Sequence, residues 1–166
     1  IAKGDLVYLN TDDAKPFSDL SDVGSKAQNQ AAAKAVFAGV ALRGSASGET
    51  LPIPVATAGV FEFDTSSASY EIGDLVGPDG TGTGGNVGVS NSIVAAVATA
   101  DLSIGKVYKR GTTVTRVQVS IASTVLNQNS SGLIASGTLK VGGTDVATIK
   151  GIYHSGTIAV AVPTIA

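Results

Sequence analysis

The chain has 166 residues, of which 43% are hydrophobic and 14% charged, and it contains 21 glycines, one histidine and no cysteine or tryptophan. This length can bury a core in one domain, or in one domain with an appendage, and the absence of cysteine excludes disulfides and thiolate chemistry. A net charge of −2 without a basic block, and the lack of a long apolar run or a signal-peptide pattern, predict neither nucleic acid nor membrane as a partner.

A short pattern near the start of the chain occurs a second time. Gly-Asp-Leu-Val stands at residues 4–7 and returns at residues 73–76. A Gly-Asp pair before alternating apolar residues is typical of a turn that opens a short β-strand. Small-residue segments at 37–42 and 86–90 follow the two copies and are predicted to be strands. The repeat therefore indicates a β scaffold rather than a catalytic pocket.

Residues 10–35 differ from this β pattern. They are acidic and polar first and then rich in Ala, Gln and Lys, which favour helix. Asp22 and Ser25 are candidate N-caps, although no apolar stripe follows them. We predict a long N-terminal loop that carries a short helix.

The next segment has strand periodicity. Residues 36–42 are predicted to be one strand, and Leu51, Ile53 and Val55 alternate with period two, as do Phe61 and Phe63. Two prolines, at positions 52 and 54, cannot donate hydrogen bonds to a sheet, so the strand that holds them should lie at an edge or contain a bulge.

Further strands are predicted towards residue 121. A polar connection at residues 65–70 leads to the second Gly-Asp strand at 73–77, and residues 80–86 resemble a loop tip. Strands are then predicted at the following places: 93–97, 104–108 and the strictly alternating 113–121.

The composition changes again beyond residue 123. Residues 127–132 are typical of a linker, and three further strands are predicted at 133–141, 145–153 and 157–162. We divide the chain into a β-barrel-like domain at 1–124 and a C-terminal β-meander extension at 125–166. Because a small meander is marginal alone, this extension should pack on the domain or on a neighbouring protomer.

No motif in the chain predicts catalysis. The G-x-G-x-x-G pattern at residues 80–85 follows a turn and precedes no helix, so it is interpreted as a loop tip. Residues 44–48 have Ala46 where a nucleophile elbow needs serine. His154, flanked by Tyr153 and Ser155, is interpreted as the cap of a hairpin rather than as a base. We predict no catalytic residues and no cofactor-binding residues.

Acidic residues are the remaining candidates for a site. Four aspartates, at positions 12, 13, 19 and 22, are oxygen ligands of the kind that Ca²⁺ prefers, but they lack the EF-hand pattern and are interpreted as a solvated loop. Glu62 and Asp64 flank Phe63 without a sign of a cleft. Asn129 begins a formal glycosylation sequon. We therefore predict no metal site and no cofactor.

The order of these segments over residues 4–121 resembles the head decoration, or capsid cement, proteins of tailed bacteriophages. The resemblance is carried by the following segments: Gly-Asp-Leu-Val at 4–7 and 73–76, Phe-Ala-Gly-Val-Ala-Leu at 37–42, Gly-Glu at 48–49, Thr-Ala-Gly-Val-Phe-Glu-Phe at 57–63 and Ile-Gly-Lys-Val at 104–107. It implies a compact β-barrel or β-tulip-like domain on the outer capsid surface, commonly a trimer, that bridges neighbouring major capsid protein subunits.

We thus expect an all-β, non-enzymatic virion protein whose partners are the major capsid protein and its own copies in a homotrimer. The expected contact regions are the segment before Asp5, residues 10–35 and the C-terminal meander. One alternative is another virion surface or tail module, or a carbohydrate-binding domain, although four Phe, four Tyr and no Trp offer few rings for stacking on sugars. A hydrolase built around His154 is the other alternative.

Overall fold

The computed structural model describes residues 1–80 and 88–126, together with the backbone of residues 137–141 and 144–149. The chain separates into two compact units, Ile1–Asn127 and Gln128–Ala166. The described residues are mostly β, as predicted. The elements in chain order are β1 (Leu6–Asn10), β2 (Asp13–Pro16), a 3₁₀ turn (Phe17–Asp19), α1 (Lys26–Val36), β3 (Phe37–Ala41), β4 (Val55–Ala56), β5 (Ala58–Tyr70), β6 (Leu75–Pro78), β7 (Val94–Ala96), a second 3₁₀ turn (Ala100–Leu102), β8 (Gly105–Val107), β9 (Gly111–Ala122), β10 (Gly137–Val141) and β11 (Thr144–Ile149).

A five-stranded antiparallel sheet in the order β5-β9-β8-β6-β7 forms a nearly closed, barrel-like structure. The two outer strands approach each other where the Asp64 N–H donates to the Ser92 carbonyl at 3.0 Å, beside a bridge from Asp64 to Ile93. The predicted alternation of β9 is confirmed towards its end, since Val119 and Ile121 are buried while Ser120 between them is exposed. Near-closure leaves little unpaired backbone at the sheet edges.

A second sheet of four strands, in the order β2-β1-β3-β4, packs beside the barrel-like sheet. Its strand β3 is buried along its whole length, which fits its unbroken run of small apolar residues. A bulge shifts the pairing of β1 with β3, so that Tyr8 is opposite Phe37 while Val7 is opposite Gly39. The bulge lets Phe37 and Val40 reach the same core although they are three residues apart.

The main core lies between the two sheets. Phe17 of the 3₁₀ turn and Phe37 of β3 meet edge to face, with ring centroids 5.8 Å apart, and both are fully buried. Around them lie the other buried side chains of the main cluster: Leu6, Ala33, Val40, Phe63, Tyr70, Val76, Val94, Ile104, Val107, Val117, Val119 and Ile121. A smaller cluster, formed by Val7, Ala38 and Ala41, lies apart from it.

The helix predicted within residues 10–35 is present as α1. Ser25 caps it, and a capping box is complete because Gln28 reaches back to the Ser25 N–H at 2.9 Å. The helix buries amides instead of an apolar stripe, since the Gln30 side chain donates to the Pro78 carbonyl at 2.9 Å. The remaining part of residues 10–35 is not all loop, because β2 pairs with β1 in a hairpin.

Three strand predictions were wrong in detail. Residues 65–70, predicted as a connection, continue β5, because Thr65 and Tyr70 turn inward and their hydroxyl groups hydrogen-bond to each other in the core. Residues 51–54 are not a strand, although the following residues pair with β3 as β4 at the edge of the sheet. Residues 88–90 are not a strand either, and the rest of the predicted segment 86–90 lies outside the described residues.

The second unit contains one described antiparallel pair. Strands β10 and β11 pair from Gly137 opposite Ile149 to Val141 opposite Thr144, with a register shift between Leu139 and Lys140. These strands correspond to the first two strands of the predicted meander. The predicted third strand at 157–162 and the predicted loop tip beyond Gly80 lie outside the described residues.

Candidate functional site

The acidic residues singled out as oxygen donors do not form one site. Within residues 1–80 and 88–126, no three His, Asp or Glu side chains lie close enough to hold a metal ion. Asp12 and Asp13 are exposed at the hairpin between β1 and β2, and Asp19 is exposed in the 3₁₀ turn. These carboxylates thus belong to different local structures.

Asp22 has a structural role at the entrance to the helix. One of its carboxylate oxygens accepts from the Asn29 side chain and from the Gly24 N–H, both at 2.9 Å. The Asn29 amide, followed by the Gly24 N–H, lowers the pKa of Asp22 below its ordinary value of 3.8, because both donors favour the charged carboxylate. Asp22 therefore fixes the chain that leads into α1.

Glu62 and Asp64 point outward from β5 and share one cation. Arg116 of β9 donates through Nη1 to Glu62 at 3.1 Å and through Nε to Asp64 at 3.2 Å. All three side chains are about half exposed or more. The two carboxylates thus share a single positive charge at the surface and are solvated, whereas acid–base catalysis uses carboxyl groups in a desolvated pocket.

The repeated Gly-Asp pattern is a repeated turn. The Asp5 N–H donates to the Ala2 carbonyl at 3.3 Å, and its carboxylate accepts from the Ala2 N–H at 2.7 Å. Asp74 makes the same two bonds with Glu71, at 3.2 and 2.8 Å. The glycine before each aspartate has a positive φ, +96° at Gly4, as the third residue of a type II turn requires.

A third copy of this turn was not found from the sequence. Glu49 donates its N–H to the Ala46 carbonyl at 3.1 Å and accepts from the Ala46 N–H at 3.0 Å, after Gly48 at φ +80°. Its other carboxylate oxygen pairs with Arg43 at 2.6 Å. Its sequence signal is a glycine followed by an acidic residue, here Gly48-Glu49 in place of Gly-Asp. Ala46, which stands where a nucleophile elbow needs serine, is thus the first residue of a structural turn.

A cleft of about 500 Å³ lies beside two of the predicted contact regions. One wall is the hairpin strand β2 with Asp12, and the other is the segment from Glu49 to Ile53. Ile1 and Ser45 complete the lining, and the Ser45 N–H donates to the Ile1 carbonyl at 2.9 Å. The cleft therefore joins three segments that are distant in sequence.

The cleft combines charge with exposed apolar surface. Leu51 is 62% exposed, and neither Asp12 nor Lys15 has an ion-pair partner among the described residues. Thr11, at the tip of the adjoining hairpin, has φ +59°, a strained conformation for a β-branched residue. Strand β2 is short and ends at a proline, which disfavours pairing with another strand. The cleft thus presents charged and apolar side chains to solvent beside an edge strand that disfavours pairing.

The other motifs singled out in the sequence provide no further site. His154, Asn129 and the glycine pattern beyond Gly80 lie outside the described residues. Asp79, just before that pattern, is held by Lys26, whose ammonium nitrogen lies 2.8 Å from both carboxylate oxygens. This ion pair joins α1 to the end of β6.

Searches of protein-family models, curated proteins and solved structures find no match to this chain. In the part of the chain that the structure describes, no helix has both the length and the apolar character needed to cross a membrane.

Proposed function

We propose that this chain is a structural virion protein of a tailed bacteriophage that binds the outer surface of the capsid. In this role it bridges neighbouring major capsid protein subunits, stabilises the expanded head and associates with its own copies in a homotrimer. The support is the order of segments over residues 4–121 and a fold compatible with it, a nearly closed, barrel-like sheet of five antiparallel strands. The finer β-tulip description of that sheet belongs to the same proposal.

The observation that carries the proposal is the cleft between β2 and residues 49–53. Two of the three contact regions expected from the sequence line this cleft, namely Ile1 before Asp5 and Asp12–Lys15 within residues 10–35. A cementing protein binds through many weak contacts repeated over a symmetric shell, and this requires accessible side chains more than an enclosed pocket. Exposed Leu51 beside unpaired charges provides such contacts.

The copy number of the chain in the virion tests this role. Density-purified particles would be analysed by quantitative mass spectrometry, with the major capsid protein as the internal reference. A copy number close to that of the capsid protein is the expected result. A handful of copies would indicate a tail or vertex module instead, and absence from particles would contradict a virion role and favour a carbohydrate-binding domain or an enzyme.

A pair of surface variants tests the cleft itself. Leu51→Ser removes an apolar side chain that is 62% exposed in the cleft, and Ile72→Ser removes one that is 71% exposed away from it. Binding to shells that lack the protein would be measured by co-sedimentation. We expect Leu51→Ser to weaken binding about tenfold, the effect of losing one buried aliphatic contact, and Ile72→Ser to leave it unchanged. Equal effects of the two substitutions would contradict the assignment.

A further inference from the structure

The ion pair between Lys26 and Asp79 lies at a dipeptide with a chemistry of its own. Asp79 is followed by Gly80, which is the one Asp-Gly step in the sequence, and the sequence contains no Asn-Gly step. Glycine has no side chain that could shield its backbone nitrogen, so this nitrogen can approach the carboxyl carbon of the preceding aspartate more closely than in other residues. The sequence thus places the reactants of a ring-closing reaction next to each other.

The structure holds the two reacting groups in contact. The Gly80 N–H donates to Oδ1 of Asp79 at 2.9 Å, so the nitrogen lies beside the carboxyl carbon. Reacting atoms in a near-attack arrangement are about 3–3.5 Å apart, and a nitrogen that is bonded to one carboxylate oxygen is already close to that distance from the carbon. The amide proton, however, lies between the nitrogen and the oxygen. The carboxylate must therefore turn before a bond to nitrogen can form.

Contacts of the side chain and of the main chain both oppose ring closure. The Lys26 ammonium nitrogen lies 2.8 Å from each carboxylate oxygen of Asp79, whose side chain is only 10% exposed. On the main chain, the Asp79 N–H donates to the Ile93 carbonyl at 2.8 Å, and the Asp79 carbonyl accepts from the Ser90 N–H at 2.7 Å. The backbone of Asp79 is thus fixed on both sides, and Lys26 is the side chain that holds its carboxylate.

From this arrangement we propose that Asp79 is a site of isomerisation to isoaspartate and that Lys26 restrains the reaction in the folded protein. The Gly80 nitrogen bonds to Cγ of Asp79, and the carboxyl OH leaves as water together with the amide hydrogen, which gives a cyclic succinimide. Water then opens the ring. Cleavage between the Gly80 nitrogen and the former main-chain carbonyl carbon gives isoaspartate, whereas cleavage at Cγ restores aspartate.

The product changes the link between α1 and the end of β6. Isoaspartate has an additional methylene group in its main chain, and its free carboxylate is the former main-chain carboxyl. The group that Lys26 binds in the folded protein thereby becomes a neutral amide, so the ion pair loses its carboxylate at that place. This inference does not depend on the proposed capsid role, because neither Lys26 nor Asp79 lines the cleft.

The test follows the full chain at neutral pH in water enriched in heavy oxygen. Ring opening incorporates one heavy oxygen atom, and peptide mapping with electron-transfer fragmentation distinguishes isoaspartate from Asp79. We expect the folded chain to isomerise at least about tenfold more slowly than the same chain unfolded in guanidinium chloride, because the folded contacts must open first. Equal rates in the two states would overturn the proposal, as would the absence of isoaspartate from both.

Variants separate the restraint by Lys26 from overall stability. Lys26→Gln should isomerise about fivefold faster than the parent, the change expected when a partly exposed ion pair is lost, whereas Lys26→Arg keeps a cation and should stay close to the parent. Val117→Ala is the matched control, since it removes buried methyl groups from the core and leaves the ion pair in place. Under conditions in which all variants are folded, this control should react like the parent. An unchanged rate in Lys26→Gln, or an equal acceleration in Val117→Ala, would overturn the role of Lys26.

Discussion

At the scale of single residues, the chain uses one turn three times to start or stabilise β structure. In each copy an acidic residue accepts from the N–H three positions earlier, and the preceding glycine has a positive φ, +93° at Gly73. A side chain added to these glycines meets no atom within 4 Å, so the requirement for glycine comes from the backbone conformation alone. The repeat seen in the sequence is therefore a local structural device.

Gly73→Ala should destabilise the protein by about 1 kcal/mol, because alanine in a left-handed conformation is strained. Gly88→Ala is the matched control, since Gly88 also has open space around it but lacks the positive φ. Urea unfolding of both variants would measure the effect, and the control should be neutral or slightly stabilised. A similar unfolding midpoint for the two variants would show that the turn conformation is not the cause.

Asp22 should make the folded protein sensitive to acid. Its pKa is lowered in the folded state by the Asn29 side chain and the Gly24 N–H, so its ionised form stabilises the fold above the ordinary pKa of 3.8. That contribution is lost as the pH falls through the lower, folded-state pKa. We expect Asp22→Asn to flatten the loss of stability on acidification below pH 3.8. The pKa of the Asp22 carboxyl would be measured by a carbon-detected NMR titration. A pKa at or above 3.8 would contradict this expectation.

At the scale of elements, the helix is attached to the barrel-like sheet by polar contacts. Lys26 pairs with Asp79, whose side chain is only 10% exposed, and Gln30 donates to the buried Pro78 carbonyl. Polar groups that are buried in this way cost free energy unless their partners are present. The position of α1 therefore depends on specific partners, because it has no apolar stripe that could bind elsewhere on the sheet.

Lys26→Met should cost about 2 kcal/mol, because it leaves the Asp79 carboxylate buried without its cation. Arg116→Met is the control, since the Arg116 side chain is 66% exposed and its carboxylate partners are solvated, and it should cost less than about 1 kcal/mol. Chemical denaturation of both variants provides the comparison. Adding Asp79→Asn to Lys26→Met should recover part of the loss, and no recovery would argue against an uncompensated charge as the cause.

The elements that were predictable are those whose pattern is local. The alternation of β9 and the apolar run of β3 were sufficient to predict these two strands, because a pattern of burial on one or both faces is visible within a few residues. The end of β5 was missed because its inward positions are Thr65 and Tyr70, which satisfy each other with a hydrogen bond and look polar in the sequence. The cleft was not predictable as a site, since Ile1, β2 and residues 49–53 meet only through the fold.

At the scale of the whole molecule, the edges of the two sheets in the unit Ile1–Asn127 are protected against pairing with other chains. The barrel-like sheet nearly closes on itself at Asp64. In the other sheet, β2 has four residues and carries Lys15, and β4 has two residues and follows Pro54. Short edges with lysine and proline disfavour strand addition. Association with a capsid or with other copies is thus expected to use side-chain surfaces such as the cleft.

The division of the chain into two units predicts separate effects on stability and assembly. Removal of residues 133–166 deletes the described strands β10 and β11 while it leaves the unit Ile1–Asn127 intact. We expect the shortened chain to keep the unfolding midpoint of the first unit in urea, because that unit has its own core, from Leu6 to Ile121.

Binding to shells and association into trimers should weaken, because a two-stranded sheet is marginal alone and is expected to gain stability from a partner. Analytical ultracentrifugation and the thermal stability of decorated particles would measure this. Unchanged assembly and particle stability would remove the extension from the contact surface and leave that role to the cleft.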